Sequence, residues 1–120
     1  MKAIKLININ TNDSSFIEGT VPELKSIKAD HFIIQTKIEN YELPAHPAPR
    51  HQYVITLKGK LKFTVTNGDT FIIEPGIILI ADDLNGKGHT WEIIDGKEWE
   101  RVYIVPVVGG GDEFVPLKEV

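Results

Sequence analysis

The sequence predicts an all-β domain, either an antiparallel sandwich or a barrel. After residue 30 the chain consists of short segments rich in Ile, Val, Thr, Phe and Tyr, the composition typical of strands. Turn signals that contain glycine separate these segments at close spacing. Only one short segment has helical character, so helices contribute little to the predicted fold.

The predicted elements begin with the segment Val21–Ala29, read as a helix of at most two turns. Pro22 suits a first helical position and Glu23 favours the first turn of a helix. Seven predicted strands follow: His31–Ile38, Gln52–Gly59, Lys60–Thr66, Thr70–Gly76, Ile77–Ala81, His89–Ile94 and Trp99–Val107.

Three turn signals separate neighbouring strands. The dipeptides Asn67-Gly68 and Asp95-Gly96 predict two-residue hairpin turns, because both central positions of such turns need a positive φ. The tripeptide Glu74-Pro75-Gly76 predicts a tight turn.

Length and composition restrict the classes of protein to which the chain can belong. With 120 residues, 42% of them hydrophobic and 25% charged, the chain is expected to form one globular domain. A net charge of −4 and scattered Lys and Arg residues argue against nucleic acid or a membrane as a partner. No cysteine is present, which excludes disulfides and thiolate sites. The polar N-terminal stretch does not read as a signal peptide, so a cytoplasmic location is expected.

Two stretches of the chain resemble the motifs of the cupin family. In the first, "HPAPRHQYVITLKG", counting back from Gly59 places Gln52 at the motif's Glu position and His46 at its first His position. The second stretch runs from Gly76 to "GKGH", where His89 takes the closing His position. The resemblance covers about residues 41–106. It implies an antiparallel double-stranded β-helix, or jelly roll, with a core barrel at about 31–107, an N-terminal arm at 1–30 and a C-terminal tail at 108–120.

The resemblance also implies candidate metal ligands. Metal-binding cupins hold Fe, Mn, Ni or Zn with two His, a Glu and a third His, which leaves His46, Gln52 and His89 as the candidates in this chain. Ala48 replaces the second His and cannot ligate, and the neutral amide of Gln52 is a weaker ligand than a carboxylate. A barrel without metal is therefore the alternative.

Strand alternation predicts the lining of an interior pocket. If Gln52 points inward, Val54 and Thr56 do too, and Trp91 shares the face of His89 on its own strand. Arg50 is a candidate partner for a substrate carboxylate or phosphate. His51 completes the candidate pocket residues, although strict alternation places it on the opposite face. Asp82 and Asp83 are read as turn residues, with a base or an additional metal ligand as the alternative.

Three functional hypotheses follow, and whether the protein is an enzyme stays open among them. The first is a cupin enzyme that acts on a small organic molecule in an oxygenase-like or isomerase-like reaction, with His46 and His89 as catalytic residues, with or without metal. The second is a barrel that binds or senses a small ligand without catalysis. The third is a barrel that serves only as a dimerisation scaffold. A homodimer is predicted as well, because strands that are apolar on both faces need their outer face covered.

Overall fold

The computed structural model describes residues 1–117, and within that range the protein is all-β, as predicted. Eight strands and a single 3₁₀ turn at Asn40–Glu42 make up its regular structure. The strands are β1 (Lys2–Asn8), β2 (Ser14–Thr20), β3 (Ala29–Gln35), β4 (Gln52–Thr64), β5 (Thr70–Ile73), β6 (Ile78–Ala81), β7 (Thr90–Pro106) and β8 (Val115–Pro116).

The predicted helix at Val21–Ala29 is wrong. The segment is irregular, with a turn at Leu24, whose φ is 63°. Its backbone bonds to other parts of the chain instead: the N–H of Val21 donates to the carbonyl of Met1, and the carbonyl of Lys28 accepts from the N–H of Val107. Tertiary hydrogen bonds of this kind override a helical preference that extends over only two turns.

The strands form one curled, mixed sheet that has the shape of a half-barrel. Its strand order is β3-β7-β4-β6-β1-β2-β8. β5 lies outside this order and pairs with β4. The pairing is antiparallel except between β1 and β6, which are parallel. The prediction of a purely antiparallel sheet is therefore wrong at this pair. β1 and β2 are two strands that the sequence did not predict, and β1 has neighbours on both sides.

A long ribbon made of β4 and β7 bends the sheet around the interior. Each of these strands joins two segments that were predicted as separate strands, and Asp95-Gly96 lies inside β7 instead of forming a hairpin turn. Lys58 pairs with Glu100 and Lys60 with Asp95, so residues 96–99 bulge opposite Gly59. Gly59 has a φ of 114°, and a Cβ there would lie 2.6 Å from the carbonyl oxygen of Glu98. Before this bend β4 pairs with β6, and beyond it β4 pairs with β5.

The other two predicted turns are present. The N–H of Ile77 donates to the carbonyl of Glu74 at 3.1 Å, which closes the turn at Pro75-Gly76. Asn67-Gly68 lies in the turn between β4 and β5, but the loop runs from Val65 to Asp69 and is longer than the predicted two residues.

Buried side chains form two clusters on opposite faces of the sheet. The interior cluster includes Val54, Phe63 and Trp99, and the outer cluster includes Tyr53 and Ile80. The alternation predicted for β4 is thus present, because Val54 and Tyr53 are neighbours in sequence and lie in different clusters. The described part of the chain contains no helix with the length and hydropathy needed to cross a bilayer.

Candidate functional site

The two motif segments meet at the open end of the curled sheet. His46 and His89 form an isolated β-bridge, in which each N–H donates to the other's carbonyl at 3.1 and 3.0 Å. Gly88 makes this approach possible, because its φ is 73° and a Cβ would lie 1.9 Å from the carbonyl oxygen of His46. The two imidazole rings lie side by side, with centroids 5.0 Å apart.

His89 is held by a buried carboxylate. Its Nδ1 lies 2.6 Å from Oδ2 of Asp83, and the hydroxyl of Ser14 donates to the same oxygen at 2.8 Å. An ionised carboxylate only accepts hydrogen bonds, so this contact places the ring proton of His89 on Nδ1. Nε2 of a neutral His89 then carries a lone pair, and no described residue donates a hydrogen bond to it.

His46 is held in the same way by a backbone carbonyl. Its Nδ1 lies 3.0 Å from the oxygen of Pro44, which can only accept a hydrogen bond, and the ring edge packs against Tyr41 at a centroid distance of 5.7 Å. The proton therefore resides on Nδ1 here as well. In the neutral form of each histidine the lone pair then lies on Nε2, so the site has two candidate proton acceptors on rings whose centroids are 5.0 Å apart.

An interior cavity of about 50 Å³ adjoins both rings. Its walls are mostly aliphatic and aromatic, with Phe63, Trp91 and Trp99 as the largest side chains. Its other polar or charged lining residues are Gln35, Glu42, Arg50, Gln52 and Tyr103. Apolar walls with a few convergent polar groups are typical of small-molecule sites, and at about 50 Å³ this cavity is several-fold smaller than the pockets that hold drug-sized ligands.

The structure brings most of the predicted pocket residues together. Arg50, Val54 and Trp91 line the cavity. The candidate metal ligands His46, Gln52 and His89 line it too. Two predicted pocket residues do not line it. Thr56 faces inward but lies deeper, where its Oγ1 accepts a hydrogen bond from Nε1 of Trp99 at 3.1 Å. His51 lies on the outer face, as strict alternation requires, and its Nε2 is 3.0 Å from a carboxylate oxygen of Asp112.

The donor set does not fit a transition-metal site. The amide oxygen of Gln52 accepts a hydrogen bond from Nη1 of Arg50 at 3.0 Å, which uses one of its two lone pairs, and the adjacent guanidinium charge repels a cation. His46 and His89 then remain as two ligands, whereas protein sites for these metals generally use three or more. Among residues 1–117 no group of three His, Asp or Glu side chains is placed to hold a metal ion.

A buried ionic network beneath the cavity was not predicted. Nη2 of Arg101 lies 2.8 Å from Oε1 of Glu42, and both side chains are almost fully buried. Nε of Arg101 donates to the hydroxyl of Tyr103 at 2.8 Å, and burial raises the pKa of Tyr103 to about 12, although Arg101 opposes this rise. Alternation along "WERVY" could have placed Arg101 on the same inward face as Trp99 and Tyr103, but Glu42 carries no comparable signal.

Glu42 also fixes the loop that carries His46. Its Oε2 accepts the backbone N–H of Glu39 at 2.7 Å, which caps the 3₁₀ turn, and it also accepts from Nε2 of Gln35. The Arg101 contact therefore anchors this turn to the floor of the cavity, and the position of His46 depends on it.

Comparison of the chain with protein-family models, with curated proteins and with solved structures finds no match.

Proposed function

We propose that the cavity binds a small organic molecule and that His89 exchanges a proton with it in an isomerase-like reaction that needs no metal. The observation that carries this proposal is the 2.6 Å contact between Nδ1 of His89 and the buried carboxylate of Asp83. A carboxylate in this position holds the reactive tautomer and stabilises the imidazolium that forms when Nε2 accepts a proton.

His46 gives the proposed reaction a second proton carrier. A proton removed from a carbon beside a carbonyl group passes to Nε2 of His89, and the same proton then returns to a different atom of the same molecule, either directly from His89 or after transfer to Nε2 of His46. The exchange needs no oxidant, reductant or other co-reactant. Glu42 takes no part as a base, because Arg101 pairs with its carboxylate.

The test is proton exchange between solvent and a small carbonyl compound. Hydroxyacetone and pyruvate are incubated with the protein in D₂O, and deuterium incorporation at the carbon next to the carbonyl is followed by NMR. We expect His89→Gln to lower an observed exchange rate by about 100-fold or more and Asp83→Asn to lower it as well. Binding of these compounds without faster exchange would contradict catalysis and leave the second hypothesis, a non-catalytic ligand-binding barrel.

We further propose that the curled sheet is the double-stranded β-helix of a cupin. Two features support this. The segments that resemble the two cupin motifs are neighbours across the His46–His89 bridge. The ribbon of β4 and β7 also changes partner strands at Gly59, as a strand does when it passes from one side of a barrel to the other.

A homodimer is the remaining part of the proposal. An apolar groove of about 590 Å³ lies on the outer face of the sheet, and Phe32, Tyr53, Ile55 and Ile104 are among its lining residues. It adjoins β3, which is the end strand of the sheet and leaves Phe32 and Ile34 66% and 71% exposed. Pairing of β3 with β3 of a second copy would satisfy the free strand edge, and packing of the two outer faces against each other would cover these side chains.

A further inference from the structure

We infer that the molecule bound in the cavity is a short-chain carboxylate and that Arg50 binds its carboxylate group. This inference rests on the proposed binding function of the same cavity, but it does not depend on the proposed proton transfer.

One cation in the cavity lining has no ionic partner. Glu42 is the one acidic residue in the described lining, and the guanidinium of Arg101 pairs with it at 2.8 Å. The carboxylate of Asp83 does not line the cavity; it lies behind His89, to which it is hydrogen-bonded at 2.6 Å. Arg50 lines the cavity, and within residues 1–117 it has no carboxylate at ion-pair distance. Arg50 is therefore the charged group of the lining that is free to pair with an anion.

The guanidinium of Arg50 has N–H donors that no described residue accepts. Nη1 donates to Oε1 of Gln52 at 3.0 Å, whereas Nε and Nη2 have no described hydrogen-bond partner. The side chain is half-buried, so its charge is partly removed from water without an ionic partner in return. A carboxylate that approaches in the plane of the guanidinium can accept two parallel hydrogen bonds from such a group.

Gln52 positions Arg50 without neutralising it. Its side chain is buried, and the amide oxygen fixes the direction of the guanidinium through a neutral hydrogen bond. A glutamate at this position would form an ion pair with Arg50 and neutralise its charge. The amide thus leaves Arg50 available to a ligand, and we assign Gln52 as a positioning residue for this contact.

The size of the cavity limits the rest of the ligand. A volume of about 50 Å³ holds only about three or four water-sized groups. The aromatic and aliphatic walls offer few further hydrogen-bond partners, so a carboxylate of two or three carbon atoms, with its carboxylate group at Arg50 on the cavity wall, fits better than a sugar or a phosphate ester.

The experiment compares acids with their neutral amides on the full chain. Acetate, propionate and pyruvate are titrated into the ¹⁵N-labelled protein, with acetamide and propionamide as probes of the same shape, and dissociation constants are taken from the NMR shifts of residues that line the cavity. We expect saturable binding of the acids and at least 10-fold weaker binding of the amides. This test needs only the wild-type protein. Equal affinity for acids and amides, or no binding of any acid, would overturn the inference.

Three variants then locate the contact. We expect Arg50→Gln and Gln52→Glu each to weaken acid binding by at least 10-fold, the second because the new carboxylate competes for Arg50. Lys97→Gln removes one positive charge from an exposed site outside the cavity and is expected to leave binding unchanged. Acid affinity that survives in Arg50→Gln, or that falls equally in Lys97→Gln, would overturn the assignment.

The wild type itself separates this inference from the proposed reaction, because acid binding and proton exchange are measured independently. Acid binding with no exchange in the wild type would contradict the proposed reaction and support the Arg50 contact. Proton exchange on hydroxyacetone without any acid binding would support the proposed reaction and contradict the Arg50 contact.

Discussion

Asp83 shows why adjacent residues of one type can have different roles. Asp82 is part-exposed and faces Lys5 at 3.9 Å, whereas Asp83 is fully buried and accepts from His89 and Ser14. The sequence marked both as turn residues, because neither composition nor spacing tells which of two neighbouring carboxylates points inward. Oδ1 of Asp83 has no described partner, so His89 and Ser14 alone offset the desolvation of this charge within residues 1–117.

The buried pair of Glu42 and Arg101 leads to a prediction at the same scale. We expect Glu42→Gln to lower the free energy of unfolding by about 3–5 kcal/mol, because it leaves a fully buried guanidinium without its counter-charge. Glu92→Gln is the matched control: it breaks a solvent-exposed pair with Lys62 and should change stability by less than about 1 kcal/mol. Urea denaturation measures both variants, and equal effects would contradict the assigned role of the buried pair.

Among the elements, the ribbon of β4 and β7 shows that local sequence signals predict strand segments but not how the segments join. Both halves of each strand were predicted, as was the inward face of β4. The continuity of β4 through Gly59 and of β7 through Asp95-Gly96 was not predicted, because a glycine with positive φ suits a hairpin turn and a bulge equally well. β1 was missed because its strand character depends on its neighbours β2 and β6, which lie far apart in the sequence. His46, Gln52 and His89 line one cavity, and their proximity could be anticipated because motif spacing, unlike register, can be counted along the chain.

The segment that leads into β8 is fastened to the sheet through Asp112, and this contact predicts a dependence on pH. Burial alone would raise the pKa of Asp112, but hydrogen bonds from Lys5, the N–H of Phe114 and His51 lower it below its ordinary value of 3.8. Because the folded pKa is the lower one, the stabilisation is complete above the unfolded value and is lost as the pH falls through the folded value, below about pH 4. We expect the amide resonance of Phe114, which donates to Asp112, to titrate with a midpoint below 3.8.

Asp112→Asn provides the control for this titration, because it keeps an acceptor oxygen but cannot ionise. The stability advantage of the wild type over this variant should shrink as the pH falls below about 4, where the carboxylate of Asp112 becomes protonated. A midpoint at or above 3.8 for Phe114, or an advantage that does not change with pH, would contradict the role of the ionised carboxylate.

At the scale of the whole molecule, the same strands separate two surfaces with different chemistry. Alternate residues of β4 face the cavity or the outer groove, so Val54 lines the former and Tyr53 and Ile55 the latter. The interior surface has a guanidinium without an ion-pair partner and two imidazoles, and the outer groove is largely apolar. Residue alternation alone therefore gives one sheet both a candidate ligand site and a candidate interface.

The outer surface gives the last prediction, a homodimer that forms through β3. An apolar groove of about 590 Å³ beside a free strand edge is a large surface for a monomer to leave uncovered. We expect light scattering at micromolar concentration to give twice the mass of one chain, and Phe32→Lys with Ile34→Lys to give a folded monomer. Leu57→Lys changes a comparably exposed side chain that does not line the groove and should leave the dimer intact. A monomeric wild type would contradict the proposed dimer, and a dimer that persists in the double variant would place the interface elsewhere than β3.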